Sequence, residues 1–135
     1  MERKIIEALK GWKDSHRRLP LLVSGARQVG KTYILREFGA ECFESMVYIN
    51  LETNRRAAAC FEEDLSPRQV LPYLEAVTGQ RGIPGKTLLI LDEIQSAERA
   101  LTSLKYFAEE APEIHVAAAG SLLGVALNRN RYSFP

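Results

Sequence analysis

Eight residues near the N-terminus have the types and the spacing of a phosphate-binding loop. Residues 25–32 read GARQVGKT, which fits the pattern G-x-x-x-x-G-K-[ST]. Glycine lets the backbone turn tightly, so that its N–H groups approach phosphate oxygens. Lys31 would supply a positive charge to the outer phosphates, and the Thr32 hydroxyl would coordinate Mg²⁺. The predicted nucleotide-binding residues are Gly25, Ala26, Arg27, Gln28, Val29, Gly30, Lys31, Thr32 and Tyr33.

Two acidic residues follow an apolar run further along the chain, in the sequence LLILDE. Mg²⁺ prefers oxygen ligands and keeps several of its waters, so we expect Asp92 to hold the ion mostly through water, together with Thr32. Glu93 would orient and deprotonate the water that attacks the γ-phosphate, which makes it a catalytic candidate. The alternative is a pair of solvated acids at the end of a strand.

Three further polar residues have a weaker functional interpretation. Ser121 follows a run of small apolar residues, and its hydroxyl could sense the γ-phosphate or the attacking water; the alternative is a turn-forming Gly-Ser pair. Gln95 could contact Glu93 or a neighbouring subunit, and otherwise it is a surface residue. Arg27 could contact phosphates within the same chain, and otherwise it too lies on the surface.

Strands and helices alternate around these residues. Short apolar runs predict strands at Leu19–Ser24, Met46–Leu51, Thr87–Glu93 and Ile114–Ser121. Helical spacing and end signals predict helices from Tyr33 to a stop at Gly39, at Thr53–Phe61, from the N-cap Ser66 to Gly79, and at Ser96–Glu110. An N-terminal amphipathic helix would pack through Ile5, Ile6, Leu9 and Trp12.

This alternation predicts the arrangement of the candidate residues. Strands that alternate with helices form parallel sheets with right-handed crossovers, and ligands bind at the carboxyl ends of such strands. Thr32, Asp92, Glu93 and Ser121 all lie at or just beyond those ends. We therefore expect four polar residues from separate parts of the chain to converge on one edge of the sheet.

Composition excludes several classes of protein. A chain of 135 residues is expected to form one domain, and a formal net charge of +1 gives little support to a nucleic-acid partner. The sequence contains no apolar run of membrane-helix length and no secretory signal, so we expect no membrane association. Cys42 and Cys60 lack metal or redox spacing, which favours reduced thiols in a cytoplasmic protein, and His16 and His115 are isolated.

The combination of four segments resembles a known family. GARQVGKT, LLILDEIQ, AAAGSLLG and the terminal RNRYSFP are together similar to a prokaryotic family of predicted AAA-type ATPases, sometimes grouped with STAND-like NTPases. The resemblance runs from about Arg17 to the end of the chain. It implies a three-layer α/β P-loop NTPase fold with a parallel sheet. It also implies that Lys31 and Thr32 bind phosphate and Mg²⁺, that Asp92 and Glu93 are the metal and water-activating acids, and that Ser121 is a sensor.

Family members continue beyond RYSFP, so the resemblance implies that residues 1–135 are a truncated ATPase domain without the C-terminal remainder. The family strand order of 5-1-4-3-2 would then become 1-4-3-2, with the fifth strand absent. Self-association through the exposed first strand, or pairing of Arg131–Pro135 with it, would follow. Arg129 and Arg131 are candidates for an arginine supplied to a neighbouring site, with surface arginines as the alternative.

The favoured function is ATP binding and Mg²⁺-dependent hydrolysis, through which the parent enzyme drives a conformational change. Its protein partner is not identified by the sequence. The alternative is a nucleotide-gated module in which ATP or ADP controls contact with a partner and turnover is incidental. A small-molecule kinase is disfavoured because the sequence shows neither an acceptor pocket nor a cluster of lid arginines. A GTPase is disfavoured because the sequence contains no Asn-Lys-x-Asp.

Overall fold

The computed structural model describes residues 2–15, 19–25 and 29–121. Within these ranges the α-helices are α1 (Glu2–Lys13), α2 (Val29–Cys42), α3 (Arg55–Ala59), α4 (Pro67–Thr78) and α5 (Ala100–Glu110). The strands are β1 (Leu21–Gly25), β2 (Ser45–Asn50), β3 (Thr87–Asp92) and β4 (His115–Ser121), and a short 3₁₀-helix covers Ile94–Ser96. The alternation of strands and helices is as predicted.

The four strands form one parallel sheet in the order β1-β4-β3-β2. β3 lies inside the sheet, and all six of its residues are buried, as its continuous apolar sequence predicts. In the described part of the chain, β1 and β2 form the two edges. The predicted strand order 1-4-3-2 is therefore confirmed.

Helices cover both faces of the sheet, which gives three layers. α1 and α2 cover one face, where Ile6 and Phe38 pack against residues of the inner strands such as Leu88, Ile90 and Ala117. Alternate residues of a strand point to opposite faces, so Leu88 and Ile90 share this side of β3. Ile5, which we predicted to pack inward, is 45% exposed, so the buried stripe of α1 is narrower than expected.

α3, α4 and α5 cover the opposite face. Their apolar side chains pack against the intervening residues of the inner strands, Leu89 and Leu91 on β3 and Val116 and Ala118 on β4. The predicted inward residues of α4 and α5 all contribute to this core: Val70, Leu71, Leu74, Val77, Leu101, Leu104 and Phe107. This face therefore contains the larger of the two apolar clusters in the described part of the chain.

The ends of α4 lie where the sequence predicts them. Pro67 is the first residue of the helix, and Gly79 ends it in the left-handed conformation with φ 71°. Ser66 is the N-cap residue, but its side chain makes no capping hydrogen bond. Its carbonyl instead accepts from the N–H groups of Gln69 and Val70.

The helix predicted at Ser96–Glu110 begins later, at Ala100. Two arginines account for the irregular segment before it. The Arg55 guanidinium donates to the carbonyls of Leu51 and Ser96 at 2.8 and 3.1 Å, and Arg99 donates to the carbonyls of Glu62 and Glu63. Because the Arg55 side chain donates a hydrogen bond to the Ser96 carbonyl, this carbonyl does not need an N–H partner within a helix.

Gly39 does not end α2, as we predicted, because the helix continues to Cys42. A Cβ added at Gly39 would lie 2.7 Å from Sδ of Met46 and 3.3 Å from Cδ2 of Leu88. The missing side chain thus lets α2 approach β2 and β3 closely. The physical reason for this glycine is helix–sheet packing, and not a left-handed turn.

Two glycines in helices provide a matched test of this packing. We expect Gly11→Ala in α1 to raise the free energy of unfolding by about 0.5–1 kcal/mol, because alanine has the higher helix propensity and its Cβ meets nothing within 4 Å. Gly39→Ala should show no such gain, because Met46 must shift. Urea unfolding of both variants measures the difference, and equal gains would contradict the close-packing explanation.

Candidate functional site

A hydrogen bond joins the predicted phosphate-binding stretch to the predicted acidic strand. Thr32 lies in the first turn of α2, and Asp92 is the last residue of β3. The Thr32 hydroxyl donates to Oδ2 of Asp92 over 2.8 Å. Two oxygen-bearing side chains from distant parts of the chain thus meet at the carboxyl end of the sheet, where ligands of such sheets bind.

Asp92 is a buried carboxylate that accepts hydrogen bonds from three donors. Only 6% of the residue is exposed. Its Oδ2 accepts from the hydroxyls of Thr32 and Tyr48, and its Oδ1 accepts from the backbone N–H of Glu93 at 2.9 Å. Burying a carboxylate costs free energy unless such donors replace the hydrogen bonds that it made to water. The three donors also fix the orientation of the carboxylate plane.

Tyr48 reaches Asp92 diagonally across neighbouring strands. Its ladder partner on β3 is Ile90, and Asp92 lies two residues further along, opposite Asn50, on the same face. The guanidinium of Arg36, one turn after Thr32 on α2, lies 4.6 Å from the centre of the Tyr48 ring. Burial, followed by the hydrogen bond to Asp92, raises the pKa of Tyr48 to about 12, so the hydroxyl stays protonated at neutral pH.

Glu93 leaves the strand in an unusual backbone conformation. Its φ is 51° and its ψ is 50°, in the left-handed region, which non-glycine residues seldom adopt and which is enriched at functional sites. The extended backbone of β3 therefore ends at this residue. Gln95 donates from Nε2 to Oε1 of Glu93 over 2.8 Å, which is one of the two contacts predicted for Gln95.

A groove of about 780 Å³ opens beside these acids, between α2 and β2. Its lining includes Thr32, Arg36, Tyr48, Asp92 and Glu93. This volume lies in the range typical of small-ligand sites. The sequence shows no acceptor pocket, whereas in the structure this groove provides space next to both acids.

The structure describes some of the other predicted site residues and not the rest. Gly25 ends β1 and pairs in register with Ser121 of β4, which places the backbone of Ser121 at the same end of the sheet. Val29, Gly30 and Lys31 lie in the first turn of α2. Tyr33 follows Thr32 and is 51% exposed. Outside the described residues lie Ala26, Arg27, Gln28, His16, Arg129, Arg131 and the tail Arg131–Pro135.

Cys42, Cys60 and His115 do not line this groove. Cys42 and Cys60 are free thiols, as predicted. His115 is buried among the aromatic rings of Trp12 and Phe43 and contacts the Lys13 carbonyl at 3.2 Å, so its role is structural. In residues 2–15, 19–25 and 29–121, no group of three or more His, Cys, Asp or Glu residues could hold a metal ion. No helix in these ranges is long and apolar enough to span a membrane.

Sequence reasoning missed two residues of the site, Tyr48 and Arg36. The sequence places Tyr48 in a predicted strand and Arg36 in a predicted helix, and it gives neither a role in the site. The spacing of Thr32 and Arg36, one helical turn apart, could have indicated a shared face. The pairing of Tyr48 with the acidic strand depends on strand register, which the local sequence does not specify.

Comparison with protein families adds a second, independent observation. A family model described as an AAA domain matches residues 17–134, which is most of the chain. The chain belongs to this family. It is an AAA-type P-loop NTPase domain, as the sequence resemblance implied, and the three-layer fold with strand order 1-4-3-2 agrees with that assignment.

Solved structures with the same fold include the Orc1 protein of Aeropyrum pernix, determined in complex with DNA. It has a TM-score of 0.52 and 19% sequence identity, and the match covers 96% of this AAA domain chain and 40% of the Orc1 chain. A structure of Pif1 helicases, described for DNA unwinding at forked double-stranded DNA, has a TM-score of 0.49, 14% identity and coverages of 98% and 38%. The chain thus spans about two fifths of these neighbours. No curated protein matches the sequence.

Proposed function

We propose that this AAA domain binds ATP together with Mg²⁺ and hydrolyses it. The observation that carries the proposal is the 2.8 Å hydrogen bond between Thr32, the last residue of GARQVGKT, and Asp92, the first acid of LLILDE. The two residues meet at the carboxyl end of the parallel sheet. A threonine hydroxyl and an acid at the end of a strand are the two groups with which P-loop enzymes hold Mg²⁺.

The nucleotide would occupy the loop between β1 and α2. Residues 25–33 (Gly25, Ala26, Arg27, Gln28, Val29, Gly30, Lys31, Thr32 and Tyr33) would surround its phosphates. The first turn of α2 would present to the phosphates the backbone N–H groups that lack partners within a helix, together with the positive end of the helix dipole, and both favour anions. Lys31 would neutralise charge on the outer phosphates. The preference for adenine rests on the family membership.

The donor set fits a magnesium ion. Thr32 and Asp92 present hydroxyl and carboxylate oxygens, which Mg²⁺ prefers, and the groove beside them has room for the waters that this ion retains. Thr32 and Asp92 would therefore hold the ion. When bound, it would neutralise the charge that develops on the phosphates.

Glu93 is the proposed general base. It follows Asp92 directly, lines the groove, and adopts a left-handed backbone conformation at the end of the strand. A carboxylate at that point could orient a water and accept its proton during attack on the γ-phosphate. Ser121, whose backbone pairs with Gly25, is proposed to sense the γ-phosphate.

One contact favours a second candidate function. Gln95 donates a hydrogen bond to Oε1 of Glu93, and this bond occupies one oxygen of the carboxylate that would orient the attacking water. A domain whose base is held in this way would bind nucleotide and turn over slowly. The second candidate is therefore a nucleotide-gated module in which ATP or ADP controls contact with a protein partner or a second copy of the chain.

Nucleotide binding is tested with Lys31→Ala. We expect the affinity for Mg²⁺-ATP, measured by calorimetry, to fall by about 100-fold or more, because a charge-assisted contact to phosphate is removed. The matched control is Lys86→Ala, whose exposed lysine precedes β3 at the opposite end of the strands. Equal affinities of Lys31→Ala and the wild type would refute the phosphate-binding role of this loop.

A further inference from the structure

We infer that Tyr48 is a positioning residue for the proposed magnesium site: its hydroxyl, together with that of Thr32, holds the Asp92 carboxylate in the orientation that the ion requires. The inference rests on the proposed function and assigns a role within it to a residue of β2. It names a residue that lies outside both GARQVGKT and LLILDE.

The argument begins with the shared acceptor atom. Tyr48 and Thr32 both donate to Oδ2 of Asp92, one from β2 and the other from α2. Oδ1 accepts from the backbone N–H of Glu93, within the same turn. Without the Tyr48 hydroxyl, Asp92 would keep the hydrogen bonds from the Thr32 hydroxyl and from the Glu93 N–H. The plane of the carboxylate would then be held less firmly.

The tyrosine ring is itself held in place. Arg36 stacks over one face of the ring at 4.6 Å, and Arg36 and Thr32 lie one turn apart on the same side of α2. The helix that begins at the proposed phosphate loop therefore contacts both members of the Tyr48–Asp92 pair. Because Arg36 already holds the Tyr48 ring, little further side-chain entropy is lost when the Tyr48 hydroxyl orients Asp92.

Hydrogen-bond partners of a metal-binding group act through that group. Their removal lowers metal affinity by about 10- to 100-fold in typical proteins, although they never touch the ion. Tyr48 has the geometry of such a partner for Asp92. Its effect should therefore appear where Mg²⁺ contributes to binding, and should be missing where the nucleotide binds without metal.

The test compares ATP affinity with and without Mg²⁺ in the wild type and in Tyr48→Phe, using calorimetry in Mg²⁺ or in EDTA. This substitution keeps the ring under Arg36 and removes the hydroxyl alone. We expect the affinity in EDTA to be unchanged, and the gain that Mg²⁺ provides to fall by about 10-fold or more. Tyr73→Phe, whose residue is 57% exposed on α4, is the matched control and should leave both affinities unchanged.

The outcomes separate this inference from the function on which it rests. An unchanged Mg²⁺-dependent gain in Tyr48→Phe would overturn the inference alone, as would equal losses with and without the metal, which would indicate a general structural role. Failure of the wild type to bind ATP in either buffer would overturn the proposed function and the inference with it. If Tyr48→Phe unfolds at the assay temperature, Arg36→Met tests the same arrangement, and it should reduce the Mg²⁺-dependent gain by a smaller factor.

Discussion

Glu93→Gln is expected to lower the rate of ATP hydrolysis by about 10²- to 10⁴-fold, which is the usual contribution of a positioned general base. The amide has the size of the carboxylate and keeps an oxygen that can accept from Gln95, so the turn after β3 should be retained. It cannot take a proton from water. The affinity for Mg²⁺-ATP should remain close to that of the wild type, because Glu93 is not among the residues proposed to hold phosphate or metal.

Phosphate release at saturating ATP measures this effect, and calorimetry measures the affinity. Glu98→Gln is the matched control, since Glu98 is an exposed glutamate in the segment between the 3₁₀-helix and α5. Its turnover should equal that of the wild type. If the slow turnover of the wild type survives in Glu93→Gln, hydrolysis does not use this carboxylate, and the nucleotide-gated module becomes the better account.

Phe38→Ala is expected to lower the free energy of unfolding by about 3–5 kcal/mol, a large part of the roughly 5–15 kcal/mol that stabilises a typical domain. Phe38 is fully buried on α2, and its ring packs against Phe43 at 5.4 Å and Trp12 at 6.2 Å between ring centres. Alanine would leave a cavity where α1 and α2 meet the sheet. Because α2 begins at the proposed phosphate loop, nucleotide affinity should weaken as well.

Urea unfolding, followed by circular dichroism, gives the loss of stability. Tyr73→Ala provides the comparison, because it removes an aromatic ring of similar size from an exposed position on α4 and should change stability by no more than about 0.5 kcal/mol. A loss below about 1 kcal/mol in Phe38→Ala would mean that the aromatic cluster collapses around the gap and contributes little to the position of α2.

The fold could be predicted from sequence because its signals are local and agree with one another. The buried run of β3 and the proline and glycine at the two ends of α4 each specify one element. Alternation of strands and helices then restricts the sheet to parallel pairing, while the order 1-4-3-2 came from the family resemblance. The error at Gly39 came from tertiary packing: this glycine carries the local signature of a helix end, but close contact with Met46 and Leu88 explains it instead.

The sequence predicted only those residues of the candidate site that belong to short motifs. Thr32 and Asp92 belong to stretches whose chemistry can be recognised one segment at a time, and the structure brings the two side chains into contact. Tyr48 could not be found in this way, because its contact with Asp92 depends on the register between β2 and β3. The start of α5 was missed for a similar reason, since Arg55 reaches the Ser96 carbonyl from another element.

The strand order has a consequence for the order of events during folding. β1 pairs with β4, so Leu21 must find Ala117 across nearly the whole described chain, whereas β2 and β3 are much closer in sequence. Such distant pairings slow folding, because the entropy cost of closing a long loop comes before the stabilising contacts between the strands can form. During synthesis β1 emerges from the ribosome before β4, and it can pair with β4 only after β4 has been made. The chain segment that leads into the nucleotide loop is thus among the last to gain its native partner.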